Sequence, residues 1–286
     1  MTYKSILCIH QDMSEKKIQI SIDKLEVEAV AGEDLIDVIH RAGIKVPSLC
    51  YHPDLKRMGS CRACLVEIDG IKGEVPACEF EVEEGMVVRA SPARLEEAHK
   101  SVLQMLLMSY VDHDHDSAQL DNTEFGYWLK QYQLNPADYG ENAHPYPVDS
   151  DPHPAIRVDL NKCILCSRCV RACEDIQGRH VWGIAARSDR SHLVAGMDSS
   201  MLDARCESCG ACVAYCPTGA LANRDALPFS AADKVVTTTC PYCGVGCNFD
   251  LNIKAGRLSH VSSNPAAAVN GMHLCVKGRY GQDFVQ

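Results

Sequence analysis

Lys162–Gly178 reads KCILCSRCVRACEDIQG, and Cys206–Leu221 reads CESCGACVAYCPTGAL. Each stretch carries four cysteines in one spacing, C-x2-C-x2-C-x3-C. The first run is Cys163, Cys166, Cys169 and Cys173; the second is Cys206, Cys209, Cys212 and Cys216, closed by Pro217. Two matching runs form an internal repeat. Thiols this close in sequence must converge on one small centre, with the loop curling around it and turning its amides toward the sulfurs. Four thiolates are the ligand number of an iron–sulfur cluster. Zinc is the alternative, but zinc sites are usually built from pairs of C-x2-4-C rather than two four-cysteine runs.

Working outward, the chain has 286 residues and 17 cysteines. An odd number cannot all pair as disulfides. Sixteen of the cysteines fall into four sets of four, and Cys8 is the spare, read as an ordinary thiol. The outer sets are Cys50, Cys61, Cys64 and Cys78, and Cys240, Cys243, Cys247 and Cys275. The N-terminus MTYKSILCIHQDMSEKK lacks an apolar core and a small-residue cleavage site, so no secretory signal is visible. No apolar run reaches the ~18 residues of a membrane span; the longest lies around Met105–Met108. These features predict a cytoplasmic chain with reduced cysteines. A net charge of −10 argues against nucleic acid and anionic membrane surfaces. It suits a protein that docks on other proteins.

The expected class is α+β, and the length suggests two or three domains by size alone. Residues 1–95 form the first expected domain. Ile18, Ile20 and Ile22, then Leu25, Val27 and Ala29, alternate with polar residues around Asp23-Lys24, which predicts a hairpin. A helix is expected from about Glu33 to Ala42, with Leu35, Ile36, Val38 and Ile39 on one face and Gly43 as its stop. A cysteine loop (50–64), a strand (64–68), a turn at Asp69-Gly70 and a strand near 86–90 follow. That is the order of a β-grasp 2Fe-2S ferredoxin. Residues 96–155 read as a helical segment and a linker. Leu95, Val102, Leu103, Leu106 and Leu107 suit a core-facing helix, with His99 on its surface. The five prolines of NPADYGENAHPYPVDSDPHPA mark the linker. Residues 156–232 carry the two runs, too densely for much other structure. Residues 233–286 form a small β-rich module, with Phe249, Leu251 and Ile253 leading into a hairpin turn at Ala255-Gly256.

The two runs resemble a bacterial-type ferredoxin with two 4Fe-4S clusters, in which the fourth cysteine of each run ligates the other cluster. The resemblance assigns Cys163, Cys166, Cys169 and Cys216 to one cluster, and Cys173, Cys206, Cys209 and Cys212 to the second. SLCYHPDLKRMGSCRACLVEIDG, with its C-x10-C-x2-C-x13-C spacing, resembles the N-terminal domain of the large iron–sulfur subunit of complex I and its relatives. That implies a 2Fe-2S cluster on Cys50, Cys61, Cys64 and Cys78; a zinc knuckle or buried thiols is the alternative. The segment CPYCGVGCNFDLNIKAGRLSHVSSNPAAAVNGMHLCVKGRYGQDFV looks like the opening of a molybdopterin oxidoreductase, and within that group a formate dehydrogenase. It implies a 4Fe-4S cluster on Cys240, Cys243, Cys247 and Cys275, with Lys277 relaying toward the pterin; a zinc ribbon is the alternative.

All three regions occur in this order in the α subunit of NAD-dependent molybdenum- or tungsten-containing formate dehydrogenases. The resemblance implies one 2Fe-2S and three 4Fe-4S clusters here. It places a Mo/W-bis-pterin and FMN/NAD on partners, a molybdopterin-binding catalytic subunit and a flavin/NAD diaphorase-type subunit. Two departures stand out. The family's additional cluster, held by one histidine and three cysteines, cannot form, because MLLMSYVDHDHDSAQLDNTEFGYW has no cysteine. Asp112, His113, Asp114, His115 and Asp116 in that stretch read as a charged exposed loop rather than a divalent-metal site. The sequence also ends at Gln286, before any pterin-binding catalytic part, and no GxGxxG after a strand marks a dinucleotide site. The expected role is therefore an electron-transfer subunit, or split N-terminal part, of a formate dehydrogenase complex, with no complete active site. The alternative is an electron-transfer subunit of an NAD-linked hydrogenase or complex I-like oxidoreductase.

Overall fold

The structure, a computed structural model, describes residues 16–111, 120–139, 146–224, 226 and 232–282. Cys8 and the Asp112–Asp116 group lie outside the described residues. The chain divides into two compact units. One comprises residues up to Val46 with Cys64–Glu96; the other comprises Pro47–Ala63 with residues from Glu97 onward.

The first unit is a mixed sheet backed by one helix. Strands β1 (Lys17–Ile22) and β2 (Leu25–Val30) form the expected antiparallel hairpin, with Ile22 opposite Leu25. Asp23 and Lys24 turn it with φ of 49° and 71°, the left-handed pair of a tight two-residue hairpin turn. Helix α1 (Leu35–Arg41) buries Leu35, Ile36, Val38 and Ile39, and Gly43 stops it at φ 80°. Such fully buried aliphatics each contribute about 1.5–3 kcal/mol. Strands β3 (Leu65–Ile68), β4 (Val75–Pro76) and β5 (Val87–Arg89) complete the order β2-β1-β5-β3-β4. Among the described strands of this sheet, only β1 and β5 pair in parallel.

The second unit is helical at first, then built from short strands around the cysteine runs. Helix α2 (Ala93–Leu107) leads into it, and Leu103 and Leu107 join a core with Phe125 and Leu129 of α3 (Glu124–Gln131). The cap of α3 is Thr123, whose hydroxyl accepts from the Gly126 amide. His99 is not a surface residue. It is 2 % exposed, and Nδ1 hydrogen-bonds the Tyr132 hydroxyl at 3.0 Å. A single polar residue on an apolar face carries no sign of a partner 33 residues away.

Strand β6 (Ile156–Val158) precedes the first run. The run itself forms α4 (Arg168–Arg171), continued by a π turn at Ala172–Ile176. Strands β7 (Trp182–Ala185) and β8 (His192–Ala195) make a hairpin between the runs. The second run holds α5 (Ala211–Ala214) and leads into β9 (Leu221–Asn223), which pairs with β6. The dense runs thus leave room for two strand pairs, contrary to the expectation of little other structure. The C-terminal part is an antiparallel sheet of β10 (Lys234–Thr239), β11 (Asn248–Lys254) and β12 (Arg257–Ser263), followed by α6 (Val276–Tyr280). The β11–β12 turn is at Ala255-Gly256, as the alternation predicts. Among the described residues, no helix is long and apolar enough to cross a membrane.

Candidate iron–sulfur centres

The two runs share a backbone device. Leu165 and Ser167, flanking Cys166, have φ of 55° and 57°; Ser208 and Gly210, flanking Cys209, have 56° and 69°. Left-handed residues at alternate positions turn successive amides inward, which favours negative charge at the centre of the loop. The amide of Leu165 accordingly donates to Cys163 Sγ at 3.4 Å, and that of Ser208 to Cys206 Sγ at 3.3 Å. The amide of Val181 donates to Cys173 Sγ at 3.3 Å.

Cys163, Cys166, Cys169 and Cys216 line one small pocket. Three come from the first run and the fourth from the second. Ile164, Ile184, Leu193 and Leu221 supply apolar walls. Burial pushes the Cys163 and Cys166 thiols up to about 12 and raises Cys169 as well. To ligate a metal these thiols must lose their protons. Cys212 is raised in the same way, and its electrostatic neighbours are Cys209, Cys206 and Cys173. The Trp182 side chain hydrogen-bonds it and opposes that rise. Each of these two neighbourhoods contains cysteines of both runs.

Of the outer sets, Cys50 and Cys61 lie in the second unit and hydrogen-bond each other, while Cys64 and Cys78 are buried in the first unit. Arg62, after Cys61, takes φ 56°. In the C-terminal module, the Cys240 amide donates to the Cys247 carbonyl at 2.8 Å. Burial and the charges of Cys240, Cys243 and Cys275 raise Cys247. Asn270 fixes this loop, accepting from the Asn248 amide at 2.7 Å and donating to the Asn248 and His273 carbonyls at 3.0 Å. Cys243 and Cys275 are exposed, as is Lys277, two residues after Cys275 on α6. Among the described residues, the cysteines stand as thiols rather than disulfides. No three His, Cys, Asp or Glu side chains there are gathered tightly enough for a single metal ion. A cluster instead spreads its thiolates over its separate iron atoms. At the two runs, cysteine donors, inward amides and apolar walls suit iron–sulfur clusters.

Buried arginines are a feature the spacing did not reveal. Arg168 pairs with Glu124 at 2.7 Å and donates to the Ser48 and Tyr51 carbonyls. Arg171 donates to the carbonyls of Cys50 at 2.5 Å and Cys166 at 3.2 Å, joining the loops of two cysteine sets. Only the density of arginine in SRCVRAC hinted at them.

Comparison with known proteins agrees in order and kind. Residues 15–92 match the 2Fe-2S iron-sulfur cluster binding domain family. Residues 153–222 match the ferredoxin-like domain of NADH-quinone oxidoreductase subunit 3, and 233–286 the molybdopterin oxidoreductase Fe4S4 domain. An NADH-quinone oxidoreductase subunit of Rhizobium meliloti is 35% identical over 94% of this chain and 32% of its own length. The candidate formate dehydrogenase YrhE of Bacillus subtilis is 26% identical over 96% of this chain and 32% of its own. The chain thus spans about a third of the length of these relatives. A chain of an NAD+-reducing NiFe-hydrogenase crystal structure has the same fold over 76% of this chain and 92% of its own, with a TM-score of 0.66 at 23% identity. The chain thus matches three iron–sulfur domain families in succession, and over nearly its whole length it is similar to part of an NADH-quinone oxidoreductase subunit and of a formate dehydrogenase-like protein.

Proposed function

We propose that this chain is an iron–sulfur electron-transfer subunit, or split N-terminal part, of a cytoplasmic formate dehydrogenase complex. It would carry electrons between a molybdopterin-binding catalytic subunit and a flavin/NAD diaphorase-type subunit. The ligand sets would be Cys50, Cys61, Cys64 and Cys78 for a 2Fe-2S cluster in a β-grasp domain (1–95). Cys163, Cys166, Cys169 and Cys216, and Cys173, Cys206, Cys209 and Cys212, would hold two 4Fe-4S clusters (156–232). Cys240, Cys243, Cys247 and Cys275 would hold a third (233–286).

The observation that carries this reading is the pocket in which Cys216 joins Cys163, Cys166 and Cys169. Bound clusters supply one-electron chemistry. The chain's own residues do the rest. The amides of Leu165, Ser208 and Val181 offset negative charge at the sulfurs, and Ile164, Ile184, Leu193 and Leu221 exclude water. The exposed Lys277 beside Cys275 is offered as the relay toward a pterin.

Formate dehydrogenase is favoured because the last module belongs with molybdopterin oxidoreductases. The fold shared with a chain of an NAD+-reducing hydrogenase, and the 35% identity to an NADH-quinone oxidoreductase subunit, support the second reading, a hydrogenase or complex I-like assembly. Anoxic purification of the native complex separates them. The proposal expects about 14 iron atoms per chain, molybdenum or tungsten, and formate-dependent reduction of the clusters. Nickel with flavin, and no molybdenum or tungsten, would favour the second. Zinc in place of iron and sulfide would overturn both.

A further inference from the structure

The two runs are equivalent in sequence, and Arg171 of the first corresponds to Ala214 of the second. Arg171 places a buried cation on the carbonyl of Cys166. The equivalent carbonyl in the second run belongs to Cys209. It too accepts from an arginine: Arg279 Nε donates to it at 3.0 Å. Arg279 comes from α6, beyond the second run, and is 3 % exposed. Its Nη2 donates to Ser263 Oγ on β12 at 2.8 Å. Burial lowers its pKa from the ordinary value, and Cys209 and Cys212 are among the neighbours that oppose that fall.

The second run is shaped to admit it. Gly210 corresponds to Ser167, and both are left-handed. A Cβ on Gly210 would lie 2.2 Å from Arg279 Cδ, so a side chain tolerated in the first run would collide with the guanidinium in the second. The cation absent from the run is supplied by the C-terminal module, at the matching atom.

We propose that Arg279 is a positioning residue for the second 4Fe-4S cluster, setting its potential as Arg171 does for the first. The inference rests on the cluster reading above. A fixed positive charge stabilises the more negative, reduced state, so it raises the reduction potential. The guanidinium keeps its protons throughout, and the cluster gains one electron from the titrant.

The test is an EPR-monitored dithionite titration of the full chain with its clusters loaded. R279Q should disfavour reduction of the second cluster at least tenfold, about 59 mV for a one-electron couple, and leave the first unchanged. R171Q should do the reverse. R279K, which keeps the charge, should retain a potential near that of the unaltered chain. Clusters present in R279Q with no shift, or with equal shifts in both, would overturn the inference. Should R279Q fail to load, R279K decides: loaded at an unchanged potential supports the proposal, and unloaded sinks it. Absence of 4Fe-4S clusters from the unaltered chain would instead defeat the cluster reading itself.

Discussion

The phenol of Tyr215 donates to Asp54 Oδ2 at 2.9 Å, tying the residue beside Cys216 to the loop that carries Cys50 and Cys61. The ring meets His52 edge-on at 4.7 Å and is 1 % exposed. Burial and Asp54 hold its pKa well above the ordinary value, so it stays a donor at neutral pH. Y215F keeps the packing and removes the donor, while the exposed Asp54 carboxylate regains water. The expected loss is about 1 kcal/mol. Urea denaturation of Y215F, D54N and the double variant should give a coupling near that value; additive losses would show that the bond contributes nothing.

Arg168 is a buried cation with an exposed carboxylate partner and two backbone carbonyls. Truncation in R168A rehydrates Glu124 but strands the carbonyls of Ser48 and Tyr51. A loss of about 3 kcal/mol is expected, read as a lower denaturation midpoint. A change below about 0.5 kcal/mol would mean that those carbonyls find other donors.

The crossed ligand sets make a separable prediction. C216S and C163S should abolish the same EPR signal, and C173S and C206S the other. Iron should fall by about 4 atoms per chain in each. If C216S and C206S remove the same signal, each run holds its own cluster and the crossed assignment fails.

His153 is fully buried. Its Nδ1 accepts from the amides of Ala155 and Ile156, so the ring is neutral and Nε2 donates to Ser208 Oγ at 2.9 Å. Burial lowers its pKa from the ordinary value. Below about pH 6.5 the unfolded chain binds a proton that the folded chain refuses. Stability is therefore full above that pH and falls on acidification, by up to about 1.4 kcal/mol per pH unit. The fall ends at the folded-state pKa. Denaturation curves at about pH 7.5 and 5.5, on either side of the ordinary histidine value, should differ less in H153Q than in the parent; an unchanged difference would assign the slope to other groups.

The repeat-related positions Ser167 and Gly210 should respond oppositely to exchange. S167G relieves a left-handed non-glycine but loosens the unfolded chain, and should be neutral within about 0.5 kcal/mol. G210A collides with Arg279 and should cost more than about 2 kcal/mol. Thermal denaturation of the two variants checks this; similar losses would remove the distinction between the runs.

Period-two alternation and the Asp23-Lys24 turn revealed the first hairpin, whose β1 buries Ile18, Ile20 and Ile22, and the 3.6 period revealed α1, whose apolar face is buried. The β11–β12 hairpin was legible from its alternation and the Ala255-Gly256 turn, although only Phe249 and Val261 of its strands are buried. What stayed hidden depends on distant partners. β6 and β9 are three residues each and lie far apart in the chain before they pair. β10 alternates weakly because it is half exposed. His99 and His153 sit in segments that read as surface and linker, yet their hydrogen bonds reach residues far along the chain. The two cysteine runs were visible from their spacing, a local feature, whereas their division into ligand sets came only from the resemblance. The arginine contacts were not visible, since which carbonyl a guanidinium reaches is decided by packing.

The allotment of Pro47–Ala63 to the second unit bears on how such a chain can be taken apart. A cut after the first expected domain would look clean in the sequence, yet it would leave that loop on one piece and its clamps, Arg168, Arg171 and Tyr215, on the other. The N-terminal segment is therefore not a detachable bead. Exchanging it between proteins by gene fusion would succeed only where the recipient presents the same arginines and tyrosine to the incoming loop.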